Sequence, residues 1–137
     1  MLDANVLATT VRTVVNKYHA RKVFGTSGRL YASGAERDYA EELQLRVRSG
    51  DITDLCEQPR LELEPGVFWR LDFSYREVPS GLLVHVDVKG CETEVFRLKC
   101  RLYRLHGPGP LYIVKRDGRK HAFKITRIIL PKGREET

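Results

Sequence analysis

VFWRLDFSYREVPSGLLVHVDVK, residues 67–89, is the stretch whose alternation sets the fold class. From Val67 to Arg76 the apolar Trp69, Leu71, Phe73 and Tyr75 fall on one face and Phe68, Arg70, Asp72, Ser74 and Arg76 on the other, as the two-residue period of a β-strand requires. From Leu82 to Lys89 the same period separates Leu82, Val84, Val86 and Val88 from Leu83, His85, Asp87 and Lys89. A turn centred between Pro79 and Ser80 makes the two strands an antiparallel hairpin, setting Phe73 against Val86, Leu71 against Val88 and Asp72 against Asp87. The apolar faces then coincide, which is the condition for one buried side.

Upstream of the hairpin, SGAERDYAEELQLRVRS (33–49) reads as a helix with Ser33 as its N-cap, Glu36 three residues on and Gly50 as its stop. Arg60 to Glu64 reads as a strand. Downstream, Thr93 to Leu105 carries apolar residues at Val95, Phe96, Leu98, Leu102 and Tyr103 and ends at GPGP (107–110), so it reads as a second helix, followed by a strand from Leu111 to Arg116. The order is therefore α-β-β-β-α-β. Strand, helix, strand at the end of that order implies a parallel crossover, while the hairpin is antiparallel. The expected fold is α/β, with a mixed sheet of four to five strands flanked by helices, Ala122 to Leu130 supplying the further strand. Asp3 to Val15 reads as another helix and Val23 to Tyr31 as a small hairpin around Gly25 and Gly28.

The chain has 137 residues, 42% hydrophobic and 31% charged, a mixture that buries one core and departs from the apolar-poor composition of disordered chains. No run approaches the roughly 18 apolar residues of a membrane span, and the first residues lack the basic and apolar regions of a secretion signal. Cys56, Cys91 and Cys100 form no CxxC pair and point to a reducing cytoplasm rather than a disulfide or zinc framework. The charge is unevenly distributed. Residues 1–96 hold 12 basic and 15 acidic side chains, a net of −3, whereas residues 97–134 hold 12 basic ones against Asp117 alone, a net of +11. A concentrated basic surface of this kind is the footprint expected for a nucleic-acid phosphate backbone, or else a solvated face that serves solubility.

Two aspartates directly across a ladder repel, and something must compensate. A raised pKa on one acid, a cation such as Arg70 or Lys89, or a divalent metal held by both carboxylates would each serve; oxygen ligands without Cys favour Mg²⁺ or Mn²⁺ over zinc. Glu36 has two readings as well, a capping-box partner of Ser33 or an acid on the helix face that continues through Ala40, Leu43 and Val47.

Glu36 in SGAERDYAEEL, Gln58-Pro59 in CEQPRLEL, Asp72 in WRLDF and Asp87-Val88-Lys89 in HVDVKG, followed by the basic helix ETEVFRLKCRLYRL, together resemble the PD-(D/E)xK nuclease superfamily, and within it small phage-encoded proteins similar to Holliday-junction resolvases. Leu71 stands where the family name has proline. The resemblance runs from about Asn16 to Val114 and implies a restriction-endonuclease-like core over 33–116, preceded by an extension (1–32) and followed by a basic segment (117–137), the whole of 1–137 forming one nuclease domain. It further implies that Asp72 and Asp87 bind a metal, that the carbonyl of Val88 adds an oxygen ligand, that Glu36 ligates the same or a second ion, and that Lys89 orients or deprotonates the attacking water. A lysine of ordinary pKa, about 10.4, is a poor base at neutral pH, so its value is lowered near the metal or it acts as an electrostatic clamp. Gln58 and His85 would support the site.

Arg97, Arg101 and Arg104 fall at i, i+4 and i+7 of the second helix and suit a phosphate backbone, with Lys99 displaced toward Phe96 and Tyr103. Lys115, Arg116, Arg119, Lys120, Lys124 and Arg127 form a second basic cluster. The expectation is a Mg²⁺-dependent DNA endonuclease, with Mn²⁺ as substitute, selective for branched DNA and active as a two-fold homodimer in the cytoplasm, the host's if the chain is phage-encoded. Its rivals are a catalytically idle nucleic-acid-binding or phage-structural module on the same fold, and an exonuclease or nicking enzyme.

Overall fold

A computed structural model of the chain describes residues 23–24, 28–89, 91–117 and 122–132. Its elements in order are β1 (Val23–Phe24), β2 (Leu30–Tyr31), α1 (Gly34–Ser49), β3 (Ile52–Glu57), β4 (Arg60–Glu64), β5 (Val67–Arg70), β6 (Phe73–Glu77), β7 (Leu83–Val88), α2 (Glu94–His106), β8 (Leu111–Arg116) and β9 (Phe123–Ile129). The expected helix over Asp3 to Val15, most of the loop around Gly25, and Arg119 and Lys120 of the basic cluster lie outside the described residues. The chain divides into two compact units, Met1–Leu45 and Arg46–Thr137.

In the first unit, β1 and β2 pair antiparallel, Val23 with Tyr31. Ser33 Oγ accepts the N–H of Glu36 at 3.1 Å, so the N-cap forms where the S-x-x-E pattern places it. Glu36, Tyr39, Ala40 and Leu43 are buried. Val47 of the second unit, expected on the same helical line, is instead 39% exposed.

The second unit is built on a five-stranded mixed sheet of order β3-β6-β7-β8-β9, with β7 and β8 parallel and the other neighbours antiparallel. The turn at Pro79, reached through a cis Val78-Pro79 peptide, holds the expected register, Phe73 opposite Val86 and Tyr75 opposite Val84. Two expectations fail. Val67 to Arg76 is not one strand: the chain leaves the sheet between Arg70 and Phe73, and the N–H of Leu71 bonds to Pro59 O instead of facing Val88. Arg60 to Glu64 is likewise absent from the main sheet; β4 and β5 pair only with each other, and the first sheet strand is β3. β3 escapes sequence reading because Asp54 adopts a left-handed φ of 55°, which shifts the register between Thr53 and Cys56 and erases the alternation.

The β4–β5 hairpin has a physical purpose. It lays Leu63 and Trp69 over Phe96, Cys100 and Tyr103 of α2, which also covers Leu111, Ile113 and Ile129 of the sheet. Trp69 meets Phe96 and Tyr103 edge-on at 5.9 and 6.2 Å between centroids. Phe73, Tyr75, Val84 and Val86 are buried on the opposite sheet face, where Arg46 of the last α1 turn lies 5.5 Å over the Tyr75 ring. The break at Leu71 thus lets one apolar run serve both faces. No helix of the described residues is long and apolar enough to cross a membrane.

Candidate active site

Asp72 sits at the point where the chain re-enters the sheet, and three hydrogen bonds fix it. Its N–H donates to Val86 O at 3.1 Å, its carbonyl accepts from Gln58 N–H at 2.8 Å, and its Oδ2 accepts from Val88 N–H at 2.7 Å. Gln58 reaches that carbonyl by adopting a left-handed φ of 55°, while its side-chain oxygen accepts from Arg70. Gln58 thus touches Asp72 through its backbone while its side chain engages Arg70.

Asp87 lies on the α2 face of β7, 4% exposed, beside the Asp72 carboxyl. Burial raises the Asp87 carboxyl above the ordinary carboxylate range; Lys89, the contact with Asp72 and the charge of Lys99 offset this only in part. Lys89 Nζ stands 3.4 Å from Asp87 Oδ2 and 4.6 Å from the centroid of Phe96, whose ring holds the ammonium between carboxylate and α2. Oδ2 nevertheless has no hydrogen-bond partner. That oxygen has only the Lys89 ammonium facing it, at 3.4 Å and off hydrogen-bond geometry, and beside a second carboxylate it is a position that a hard divalent cation would complete. Among the described residues no three His, Cys, Asp or Glu side chains gather into a metal-holding group; an ion here would have two carboxylates, those of Asp72 and Asp87.

His85 points to the same face and is 4% exposed. Burial pushes its pKa down to about 4, so the ring is neutral near pH 7, with Nδ1 3.5 Å from the Tyr103 hydroxyl, which itself donates to Gly109 O at 2.6 Å. His85 underlies the carboxylate pair as packing. Lys99 is half-buried with its Nζ 5.9 Å over Trp69. Arg97, Arg101 and Arg104 are exposed on the other flank of α2, where Arg127 of β9 joins them. Lys115 is exposed at the end of β8 beside Lys124, and Arg116 is half-buried opposite Phe123. Glu36 belongs to the first unit. Phe96 and Trp69 as seats for the two lysines were missed; each contact joins different elements, and no spacing along the chain announces it.

These features define a mixed α/β protein with a half-buried Asp72 beside a buried Asp87, a neighbouring Lys89 and a basic helix. The chain belongs to the family described as "Protein of unknown function (DUF1064)", whose pattern matches residues 15–121 and so includes both aspartates, Lys89 and all of α2. No curated protein and no solved structure matches it.

Proposed function

We propose that the chain is a Mg²⁺-dependent DNA endonuclease with a restriction-endonuclease-like core, cleaving branched DNA as a two-fold dimer in the cytoplasm. The observation that carries this reading is the pairing of Asp72 with Asp87 around an oxygen without a hydrogen bond, with Lys89 at 3.4 Å. Asp72, Asp87 and the Val88 carbonyl would hold Mg²⁺, or Mn²⁺ in its place. The ion, when bound, makes water more acidic and adds positive charge at the scissile phosphate.

The protein's own groups do the rest. The Val88 N–H keeps the Asp72 carboxylate from swinging away, and two backbone hydrogen bonds hold the residue beneath it. Lys89, braced by Phe96, supplies positive charge beside the carboxylates where negative charge builds on the phosphate. The basic face of α2 with Lys115 and Arg116 adds phosphate contacts that position the substrate. Nicking of covalently closed circular DNA in Mg²⁺, lost in Asp87→Ala with DNA binding retained, is the expected result; an exonuclease leaves the closed circle intact. A second reading, a DNA-binding module without cleavage, is favoured by one observation: among the described residues no third metal-ligating side chain joins the pair. DNA binding with no cleavage under any divalent ion would select it.

A further inference from the structure

Beside α2 runs a groove of about 680 Å³ lined by Arg97, Arg101 and Arg104 from the helix, Arg127 from β9, and the side chains of Val95 and Leu98, 61% and 50% exposed. We infer that this groove is a track for one nucleic-acid strand, holding three to four consecutive phosphates next to the carboxylate pair. The inference rests on the nuclease reading for its substrate, and its evidence is separate from the aspartates.

Arg97 to Arg104 spans seven residues, a rise of about 10 Å along the helix. Phosphates of one strand recur at about 3.4 Å of duplex axis, so the three arginines cover about three of them. Among the described residues no hydrogen bond or ion pair engages the side chains of Arg97, Arg101 or Arg104; their only bonds are made by the backbone, as in Lys132 N–H to Arg104 O. Arg127, by contrast, is preset: its Nη2 is 3.6 Å from Cys100 Sγ and 3.8 Å from Glu92 Oε1. Guanidinium groups suit phosphate through paired N–H donors.

Sheet register places the track. Asp87 is level with Ile113 on β8, and Ile113 with Arg127 on β9, so Arg127 stands two strand spacings, about 10 Å, from Asp87 on the same face. The Arg127 edge of the groove is thus about 10 Å from Asp87. Glu92 and Glu94 are the acids at this end of the groove, and Glu92 competes with phosphate for Arg127.

The test is fluorescence anisotropy of the full chain with a labelled oligonucleotide, single-stranded and duplex, in EDTA from about 50 to about 200 mM salt. Each phosphate contact contributes about 0.9 to the salt slope on duplex and about 0.7 on a single strand. Arg101→Gln with Arg104→Gln is expected to lower the duplex slope by about 1.8, so that the affinity lost over this fourfold salt range shrinks about 12-fold. Glu92→Gln tightens binding by freeing Arg127, and Arg48→Gln with Arg60→Gln, the same charge change at two exposed sites elsewhere, leaves the slope in place. An unchanged slope in the Arg101/Arg104 variant, an equal fall in the Arg48/Arg60 control, or no binding at the lowest salt overturns the inference. Cleavage in Mg²⁺ by the same proteins separates the two proposals. Groove-dependent binding without cleavage sinks the nuclease reading alone, whereas cleavage with a groove-independent slope sinks the track alone.

Discussion

Replacing Asp87 by Asn should make the metal-free protein more stable. Asp87 is 4% exposed, one of its oxygens lacks a hydrogen bond, and its pKa is raised, so burial outweighs the attraction of Lys89 and Lys99 for the charged form. A buried polar atom left unpaired costs about 1–3 kcal/mol. Unfolding entropy of about 2.1 cal/mol/K per residue amounts to about 0.29 kcal/mol/K for 137 residues, which translates that cost into a rise of about 3–10 °C in Tm for Asp87→Asn. The pH dependence has a definite sign. A carboxyl whose pKa is higher folded than unfolded binds more protons in the native state, so stability falls as pH rises from the ordinary value of 3.8 through the raised one. The gain from Asn is therefore absent at acid pH and complete above the folded-state pKa. Thermal melts of both proteins in EDTA between pH 3 and 8 read this out, and added Mg²⁺ should raise the Tm of the wild type but not of the variant. If Asp87→Asn melts below the wild type in EDTA at neutral pH, the ion pair with Lys89 governs this position and the reasoning fails.

Other outcomes follow from the same face of the sheet. His85 titrates near 4 in the fold against an ordinary 6.5, so the native state resists protonation and stability drops by roughly 3 kcal/mol as pH falls through that window; His85→Gln should remove this component from denaturant titrations at pH 7 and pH 4. Tyr103→Phe strips the hydroxyl that donates to Gly109 O, and at about 1–3 kcal/mol its Tm should fall by about 3–10 °C with DNA affinity unchanged in anisotropy. Gly109→Ala should cost about 3 kcal/mol in urea unfolding, because a Cβ there runs into the backbone carbonyl of Leu83. A Gly109→Ala protein as stable as the wild type would show that this turn relaxes freely.

The elements with an uninterrupted period were legible from sequence. The register of β6 on β7 follows from alternation plus Pro79, and both helices begin at their capping Ser33 and Thr93. Legibility ended where the backbone leaves regular geometry. The departure at Leu71 preserves the alternation of Trp69, Leu71, Phe73 and Tyr75, all four of which are buried, so composition gives no sign that they serve two faces. Asp54 and Gln58 turn left-handed without being glycine, which hid β3 and the bend into the β4–β5 hairpin. Within the site, Asp72, Asp87 and Lys89 were readable because their adjacency depends on a single hairpin register and on i, i+2 spacing. The seat of Lys89 on Phe96 and the meeting of Arg127 with α2 require the helix to be docked on the sheet, and no local pattern encodes that.

The account stands most directly on the single-turnover rate at which a synthetic four-way junction is cut in saturating Mg²⁺ by the wild type and by Asp72→Asn, Asp87→Asn and Lys89→Met. Each substitution is expected to slow cleavage by about 10²-fold or more while leaving junction affinity nearly intact. Undiminished cleavage by Asp87→Asn, or a wild type that cuts no DNA with either Mg²⁺ or Mn²⁺, would contradict the assignment of these residues to phosphodiester hydrolysis.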